Sequence, residues 1–417
     1  MNSNMTQGVS RRSFMRIFGA ASAAATSLPA FAALQQAGTQ AAAPPARRGG
    51  MRGMQQLSPD TVIISSNENP LGPAQSALAA IGTTATLGGR YHFDEYVKTV
   101  AVFNEQFGLK EDYSALFPGS GGPLDLALMS NIGPDKPLVY GDPSYEQGPR
   151  AAEAMKAPKY PVPLTATYAH DVRAMVKAHP SPGAYYIVNP NNPTGTMTPK
   201  ADLVWLVNNK PKGSVVIIDE AYHHFSDDES CIDLVAQDKD IIVMRTFSKI
   251  YGMAGLRAGV AVARPDLLER FSNVGGPSRS LASISITSAA AARASLQDKG
   301  LVPLRKKINS DIRSETLEFL TKHGYTIVPG SQGNMFMVDV KRPGKQFQMA
   351  MLKENVAIGR TWSAMPNYVR VTVGTKPEME KFQTAFVKCM DMPPGAANGA
   401  AALHLPEFHV PSELYRG

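Results

Sequence analysis

Cysteines and long apolar segments are both scarce in this chain of 417 residues. Cys231 and Cys389 are the only cysteines, too few for a disulfide framework or a cysteine-based zinc cluster. We therefore expect two free thiols and no metal site, although a single disulfide bond is compatible with the sequence. A membrane-spanning helix needs about 20 strongly apolar residues. The stretch 17–32 is shorter and rich in alanine and serine, which argues against a membrane anchor.

Acidic residues are absent before Asp60, and arginines of that segment account for six of the seven excess positive charges. The remainder of the chain is therefore close to neutral. A basic surface of the kind that binds nucleic acid is not predicted. The arginines concerned are Arg11, Arg12, Arg16, Arg47, Arg48 and Arg52.

Residues 1–32 have the features of a Tat-type export signal. Arg11 and Arg12 precede an alanine-rich stretch, and residues 30–32 (Ala-Phe-Ala) supply the small side chains that a signal peptidase needs. We therefore expect the Tat export machinery to be a partner and the mature protein to be periplasmic or secreted. Because the Tat route carries folded proteins, any cofactor would be acquired in the cytoplasm first.

Two segments of biased composition flank the central part of the chain. Residues 33–57 consist mainly of Ala, Gln, Gly, Pro and Arg, which predicts a flexible linker. Residues 391–417 show no regular period and predict a loose C-terminal tail.

The central part alternates short runs of branched and aromatic residues with helical stretches such as 201–210. This rhythm predicts an α/β fold with a mostly parallel sheet that is covered by helices on both faces. The runs are PLVYGDP (137–143), AYYIVNP (184–190), SVVIIDE (214–220), IIVMRT (241–246) and AGVAVA (258–263).

Polar side chains follow three of these runs, at the points where the strands should end. Asn192, Asp219 and Lys249 are separated by 27 and 30 residues, about one strand–helix unit each. Because ligands of such sheets bind beyond the carboxyl ends of the strands, we expect the three side chains to meet at one edge. Lys249 is expected to be buried there, because the run before it is apolar.

Each motif also has an ordinary structural explanation when it is taken alone. The sequence NNPTG (191–195) is compatible with a simple turn, and Asp219 with a strand-end cap. Lys249 could be a surface residue, and residues 120–122 could simply begin a helix with Pro123 in its first turn. Together, however, a cation, a strand-end carboxylate, an amide and a lysine are the groups that pyridoxal phosphate requires.

The chain resembles the fold-type I, pyridoxal-phosphate-dependent aminotransferases of class I/II, in particular the histidinol-phosphate aminotransferase branch. That resemblance implies a large cofactor-binding domain (87–300) and a smaller α/β domain made from 58–86 and 301–390. Eight motifs in family order carry it: SSNENPLGP (65–73), GGRYHFDEY (88–96), PGSGGPLDL (118–126), DPSYEQ (142–147), NPNNPTG (189–195), DEAY (219–222), TFSKIYGMAGLRAG (246–259) and YVRVTVGT (368–375).

The resemblance assigns the chemistry to Lys249, Asp219 and Tyr222. Lys249 is expected to form a Schiff base with the cofactor and then to transfer a proton at the substrate Cα. Asp219 is expected to pair with the pyridinium nitrogen. Tyr222 and Asn192 are expected to hydrogen-bond the phenolic oxygen, and Tyr145 to lie against the ring.

The family pattern also implies a binding site for the cofactor phosphate. Gly121 and Gly122 begin a helix, whose N–H groups and dipole favour an anion. The remaining donors are Thr246, Ser248 and Arg257. A tyrosine in the position of Tyr91 reaches the same phosphate across a dimer interface in the family, which implies a homodimer.

Substrate contacts are implied for Arg370, Asn69, Asn192 and Arg360. Arg370 is expected to bind the α-carboxylate in bidentate fashion, and the segment 67–72 to close over the substrate. In the histidinol-phosphate branch an arginine near the position of Arg360 binds the substrate phosphate. Here it stands one residue further on, in NVAIGRTW (355–362), and in a continuing strand that offset would reverse its face.

The sequence departs from that branch at Pro123 and Leu124 as well, where acidic residues are usual. The implied reaction is amino-group transfer between an L-amino acid and a 2-oxo acid. Two alternatives use the same framework: decarboxylation or elimination, which depends on the Cα bond that is cleaved, and cofactor binding without catalysis. The presence of both Lys249 and Asp219 argues against the second alternative.

Overall fold

The computed structural model describes residues 57–275 and 284–393, which lie within one compact unit. The predicted signal peptide (1–32), nearly all of the predicted linker (33–57) and most of the predicted tail (391–417) lie outside the described residues. The proposed boundaries between a large and a small domain remain a prediction.

The largest sheet has seven strands in the order β2-β8-β7-β6-β5-β3-β4. Strands β3 to β7 run parallel to one another, whereas β8 is antiparallel to both of its neighbours. The prediction of a mostly parallel sheet is thereby confirmed. The strands are β2 (Ser114–Phe117), β3 (Leu138–Asp142), β4 (Lys159–Pro163), β5 (Ala184–Val188), β6 (Val215–Asp219), β7 (Ile241–Thr246) and β8 (Gly259–Val262).

Two smaller sheets contain the remaining strands, and one of them joins the first described segment of the chain to the last third. Strand β1 (Val62–Ile64) pairs in parallel with β10 (Val356–Ile358). Strand β9 (Met335–Asp339) pairs antiparallel with β11 (Tyr368–Thr372). The N-terminal segment therefore pairs with a strand nearly 300 residues away, and the carbonyl of Ser65 accepts a hydrogen bond from Arg370.

Helices connect most of the strands and cover the sheets. Several helices lie within a few residues of the strands they connect, such as Gln147–Ala154 between β3 and β4, whereas Ile286–Gln297 and Leu301–Lys322 follow one another directly. They span Gln75–Ala85, Phe93–Phe107, Gly121–Met129, Gln147–Ala154, Val172–Ala178, Lys200–Asn209, Ile232–Ala236, Pro265–Gly275, Ile286–Gln297, Leu301–Lys322, Gly344–Lys353 and Lys376–Asp391. Across the described ranges, none of them combines the length and the apolar character needed to cross a membrane.

The core lies on both faces of the central strands. Every residue of β5, β6 and β7 is buried, which explains why these runs are apolar rather than alternating up to the polar residues Asp219, Arg245 and Thr246 at the carboxyl ends of β6 and β7. Burial of one such Val or Ile side chain stabilises the fold by roughly 1.5–3 kcal/mol. The polar residues that follow these strands are therefore held on a rigid edge. Cys231 and Cys389 are both buried and unpaired.

Candidate active site

The carboxyl edge of β5, β6 and β7 carries the residues that the sequence singled out. Asp219 is the last residue of β6, and its strand neighbours are Val188 of β5 and Met244 of β7. Asn192 and Lys249 follow those two neighbouring strands. Alternating strands and helices therefore bring the three predicted residues to one edge, as expected.

Asp219 is a buried carboxylate, only 5% exposed. Its Oδ1 accepts a hydrogen bond of 3.0 Å from the backbone N–H of Ala221. Burial raises its pKa to about 6, and the positive charge of Lys249 partly opposes that shift. Within the described part of the chain Asp219 forms no ion pair. A protonated ring nitrogen of a ligand could pair with this carboxylate and favour its charged form.

Lys249 is less buried than the sequence suggested. Strand β7 ends at Thr246, so Lys249 lies three residues beyond the buried edge and is partly exposed. Its Nζ donates a hydrogen bond of 3.2 Å to the carbonyl of Ser66 and lies 5.5 Å from the centre of the Tyr222 ring. The amine therefore lies near Tyr222 on the solvent-accessible side of the site, where a ligand can approach it.

Tyr222 is held by a residue to which the sequence gave no individual role. Its Oη accepts a hydrogen bond of 3.0 Å from Nδ2 of Asn67. Asn67 is fully buried and has a left-handed backbone (φ 53°), a conformation that asparagine tolerates. Thr372 fixes its amide oxygen at 3.0 Å. Because the phenol oxygen accepts from Asn67, its own proton is free to be donated to a ligand.

A cluster of anion-binding groups lies at the N-terminus of the helix Gly121–Met129. Arg257 packs over Gly119, where a Cβ atom would lie 2.2 Å from Nη2. Its Nη1 donates to the carbonyl of Ala254 at 2.9 Å and lies 3.5 Å from Oγ of Ser248. Thr246 donates to the same Oγ at 3.0 Å. Two hydroxyls, a guanidinium and a helix start fit a phosphate.

Arg370 is the most deeply buried cation of the predicted site, at 4% exposure. Its Nη1 donates to Oδ1 of Asn192 at 2.7 Å and its Nη2 to the carbonyl of Ser65 at 2.5 Å. Burial, reinforced by the charge of Arg360, lowers its pKa to about 10. Its Nε has no partner within the described ranges. A buried N–H without an acceptor fits an incoming carboxylate.

The condition under which the offset of Arg360 would reverse its face, a continuing strand, is not met, and its role in substrate binding remains a prediction. Strand β10 ends at Ile358, so the alternation of a strand no longer applies at Arg360. Its guanidinium forms an ion pair with Glu146, and its Cζ lies 6.0 Å from the centre of the Tyr145 ring. Tyr145 itself is partly buried, and desolvation raises its pKa to about 12.

Asn69 and Tyr91 have other contacts. Both polar atoms of the Asn69 side chain bind backbone groups: Nδ2 donates to Ile250 and Oδ1 accepts from Leu71, each at 3.1 Å. Tyr91 is 83% exposed, and its ring stacks on Phe93. The substrate role of Asn69 and the intersubunit role of Tyr91 remain predictions.

The segment that contains Asn69 is locked onto the loop of Lys249. Gly252 has φ 65°, and a Cβ atom there would lie 2.1 Å from the carbonyl oxygen of Gly72. Arg305 donates to that oxygen at 2.6 Å and to the carbonyl of Ile250 at 3.0 Å. Asn67 lies in the motif 65–73 and Arg305 in no motif, but the sequence does not indicate which distant groups they contact.

A family model and individual relatives match the chain. The model "Aminotransferase class I and II" matches residues 52–386. Histidinol-phosphate aminotransferase 1 from Cupriavidus pinatubonensis is 32% identical over 337 residues, which cover 79% of this chain and 88% of that protein. Histidinol-phosphate aminotransferase 1 from Nitrosococcus oceani is 31% identical over 326 residues, which cover 77% and 86%.

A solved structure has the same fold. The crystal structure of histidinol-phosphate aminotransferase from Sinorhizobium meliloti in complex with pyridoxal-5'-phosphate superposes with a TM-score of 0.73. The match covers 79% of this chain and 90% of that one, at 22% identity. The predicted fold class is confirmed.

We predict that replacement of the buried Asp219 by asparagine increases the free energy of unfolding, by an amount that depends on pH. Its pKa is 3.8 when solvated and about 6 in the folded chain, so the folded state binds the additional proton between these pH values. Its contribution to the free energy of unfolding therefore falls as pH rises through this window. Asp219→Asn should stabilise the ligand-free protein at pH 7.5 by up to about 3 kcal/mol, and this gain should shrink toward pH 4.

Urea unfolding of both proteins at several pH values measures this difference. Asp60→Asn, at an exposed position, is the matched control and should change little at any pH. A destabilised Asp219→Asn variant at pH 7.5 would show that the carboxylate already has a counter-charge in the folded chain.

Proposed function

Because the chain belongs to the family of class I and II aminotransferases, we propose that it transfers an amino group between an L-amino acid and a 2-oxo acid, in the manner of histidinol-phosphate aminotransferases. The observation that carries this proposal is the convergence of Lys249, Asp219, Tyr222 and Arg370 at one edge of the sheet. A reactive amine, a buried carboxylate, a phenol and a carboxylate-binding guanidinium together form one reaction site.

Pyridoxal phosphate is the cofactor of this family, and the site has the groups to hold it. Asp219 offers its unpaired charge to the ring nitrogen, and Tyr222 has a proton to donate to the phenolic oxygen, with Asn192 beside it. Tyr145 can lie against the ring. The phosphate would be bound by Thr246, Ser248, Arg257 and the N–H groups of Gly121 and Gly122. When bound, the cofactor supplies an electron sink for negative charge at the substrate Cα.

The side chains of the chain itself then perform three tasks. Lys249 would hold the cofactor through its amine, and the same amine would accept the proton from the substrate Cα. Arg370 binds the α-carboxylate through its unpaired Nε and the adjacent Nη groups, and this orients the Cα bonds. The bond at Cα that this orientation exposes decides whether a proton or the carboxylate is lost.

A homodimer is proposed from the apolar surface around Tyr91. Three exposed side chains lie within one short segment: Tyr91 is 83% exposed, Phe93 51% and Val97 63%. Large apolar side chains exposed together are typical of an interface. A second copy of the chain would cover them, and Tyr91 would then reach the phosphate site of its partner.

Export by the Tat route is proposed from residues 1–32. This segment lies outside the described residues, and its twin arginines and alanine-rich stretch support the proposal. Folding around the cofactor in the cytoplasm would precede transfer to the periplasm or secretion. An exported enzyme of this type would act on amino acids outside the cytoplasm.

Replacement of Lys249 tests the proposed reaction. Purified protein with pyridoxal phosphate should have a visible absorbance band that shifts when an amino acid is added. Lys249→Ala should lose that band and at least about 10³-fold in rate, because both the covalent link and the proton-transferring amine are removed. Lys212→Ala, at an exposed position, is the control and should behave as wild type.

Product analysis in the same experiment separates the alternatives. Transamination yields the 2-oxo acid without CO2 or ammonia. Release of CO2 would establish decarboxylation, release of ammonia would establish elimination, and an unchanged band with every amino acid would establish binding without catalysis.

The shared site of the dimer is tested by mixing two defective variants. If Tyr91 acts across the interface, a mixed dimer of Tyr91→Ala and Lys249→Ala contains one intact site and one doubly altered site. Activity at limiting cofactor should therefore recover after subunit exchange, to about a quarter of wild type for random pairing. No recovery from dimers that exchange subunits would place Tyr91 in its own subunit's site.

The export signal is tested by paired arginine substitutions in the full-length chain. Arg11→Lys with Arg12→Lys should retain the protein in the cytoplasm of a Tat-competent bacterium, because the export signal depends on both arginines. Arg47→Lys with Arg48→Lys keeps the same charge count and should be exported normally. Equal distribution of the two variants between cell fractions would contradict the proposal.

A further inference from the structure

Beside the groups assigned to the cofactor lies a cation with its own counter-ion. Arg360 forms an ion pair with Glu146, and their side chains are 25% and 27% exposed. The guanidinium carbon of Arg360 lies 5.1 Å from the centre of the Trp362 ring and 6.0 Å from that of Tyr145. Its Nε is buried and has no partner among the described residues. Two of these four residues, Glu146 and Trp362, had no predicted role.

Trp362 places this ion pair next to the proposed α-carboxylate site. The indole is 5% exposed and is fixed by a hydrogen bond of 3.0 Å from Nε1 to the carbonyl of Ser144. Arg370 lies 5.3 Å from the centre of the same ring. One rigid side chain therefore contacts both guanidinium groups. A substrate whose α-carboxylate binds Arg370 has its side chain within reach of Arg360 and Glu146.

The two arginines differ in their charge balance. Among the described residues, Arg370 donates hydrogen bonds to two neutral oxygens, from Asn192 and Ser65, so its positive charge is available to an anion. The charge of Arg360 is compensated by Glu146. A second anion at Arg360 would be repelled by that carboxylate or would have to displace it, which leaves Glu146 without its counter-ion.

We propose that Glu146 and Arg360 form a charge-neutral subsite that selects amino acids with uncharged side chains, aromatic ones included, and disfavours a distal carboxylate or phosphate. Trp362 supplies an apolar wall, and the free Nε–H of Arg360 supplies one donor to an uncharged acceptor. The proposal rests on the proposed function, because it names the substrate class of that site. It assigns Glu146 as the residue that determines specificity.

Replacement of Glu146 by the neutral glutamine tests the proposal. The rate at which an amino acid alters the absorbance of the cofactor-loaded protein is measured with phenylalanine and with glutamate. Wild type should prefer phenylalanine. In Glu146→Gln the glutamate-to-phenylalanine ratio of kcat/KM should rise about tenfold or more, because one uncompensated positive charge now faces the distal carboxylate. In Glu146→Gln combined with Arg360→Gln, the ratio should fall back toward that of wild type.

Glu153→Gln is the matched control, since Glu153 lies in the adjacent helix Gln147–Ala154 and pairs with Lys159 at the surface. It should leave the ratio unchanged. A wild-type preference for glutamate, or an equal ratio in wild type and Glu146→Gln, would overturn the proposal.

Binding of unreactive acids distinguishes this failure from failure of the proposed function. Titration calorimetry of the cofactor-loaded protein with 3-phenylpropionate and with glutarate reports the subsite without any reaction. Tighter binding of 3-phenylpropionate to wild type, and a shift toward glutarate in Glu146→Gln, would support the subsite even if no amino acid reacted. Transamination with no such shift would leave the proposed function intact and exclude Glu146 as the selecting residue.

Discussion

The buried carboxylate of Asp219 is the constraint on which the site depends. It ends the central strand of a sheet whose neighbouring strands are fully buried, and burial raises its pKa despite the nearby charge of Lys249. In the absence of a ligand this carboxylate is costly to the fold, because an unpaired charge is desolvated. A cationic ligand that binds here offsets this cost. The same carboxylate therefore destabilises the ligand-free protein and strengthens binding of the ligand.

Two loops that are far apart in the sequence, residues 65–72 and the loop around Lys249, meet beside the site. The segment around Asn67 positions Tyr222 through one hydrogen bond and contacts the Lys249 loop through Gly72 and Gly252. Close approach of the two backbones leaves no room for a Cβ atom at Gly252. Arg305 bonds to both loops, so they are held as one rigid rim. Rigid placement of the reacting groups is what makes their chemistry efficient.

The two arginines of the proposed substrate site differ in whether a nearby carboxylate compensates their charge. Arg370 keeps an uncompensated charge and a free Nε, which suits an invariant α-carboxylate. Arg360 is neutralised by Glu146, which suits a variable and uncharged side chain. Both guanidinium groups contact Trp362, so this side chain separates the two cations.

The sequence by itself determined where the central strands lie along the chain. Apolar runs predicted β5, β6 and β7 within one or two residues, and the polar residues that follow them marked Asn192, Asp219 and Lys249. Those features are local, because strand formation and strand termination follow from neighbouring side chains. Tertiary structure alone decided that Asn67 holds Tyr222 and that Arg360 meets Glu146 across 214 positions. Such contacts depend on how separate segments pack, and one sequence contains no periodicity that records which distant side chains become neighbours.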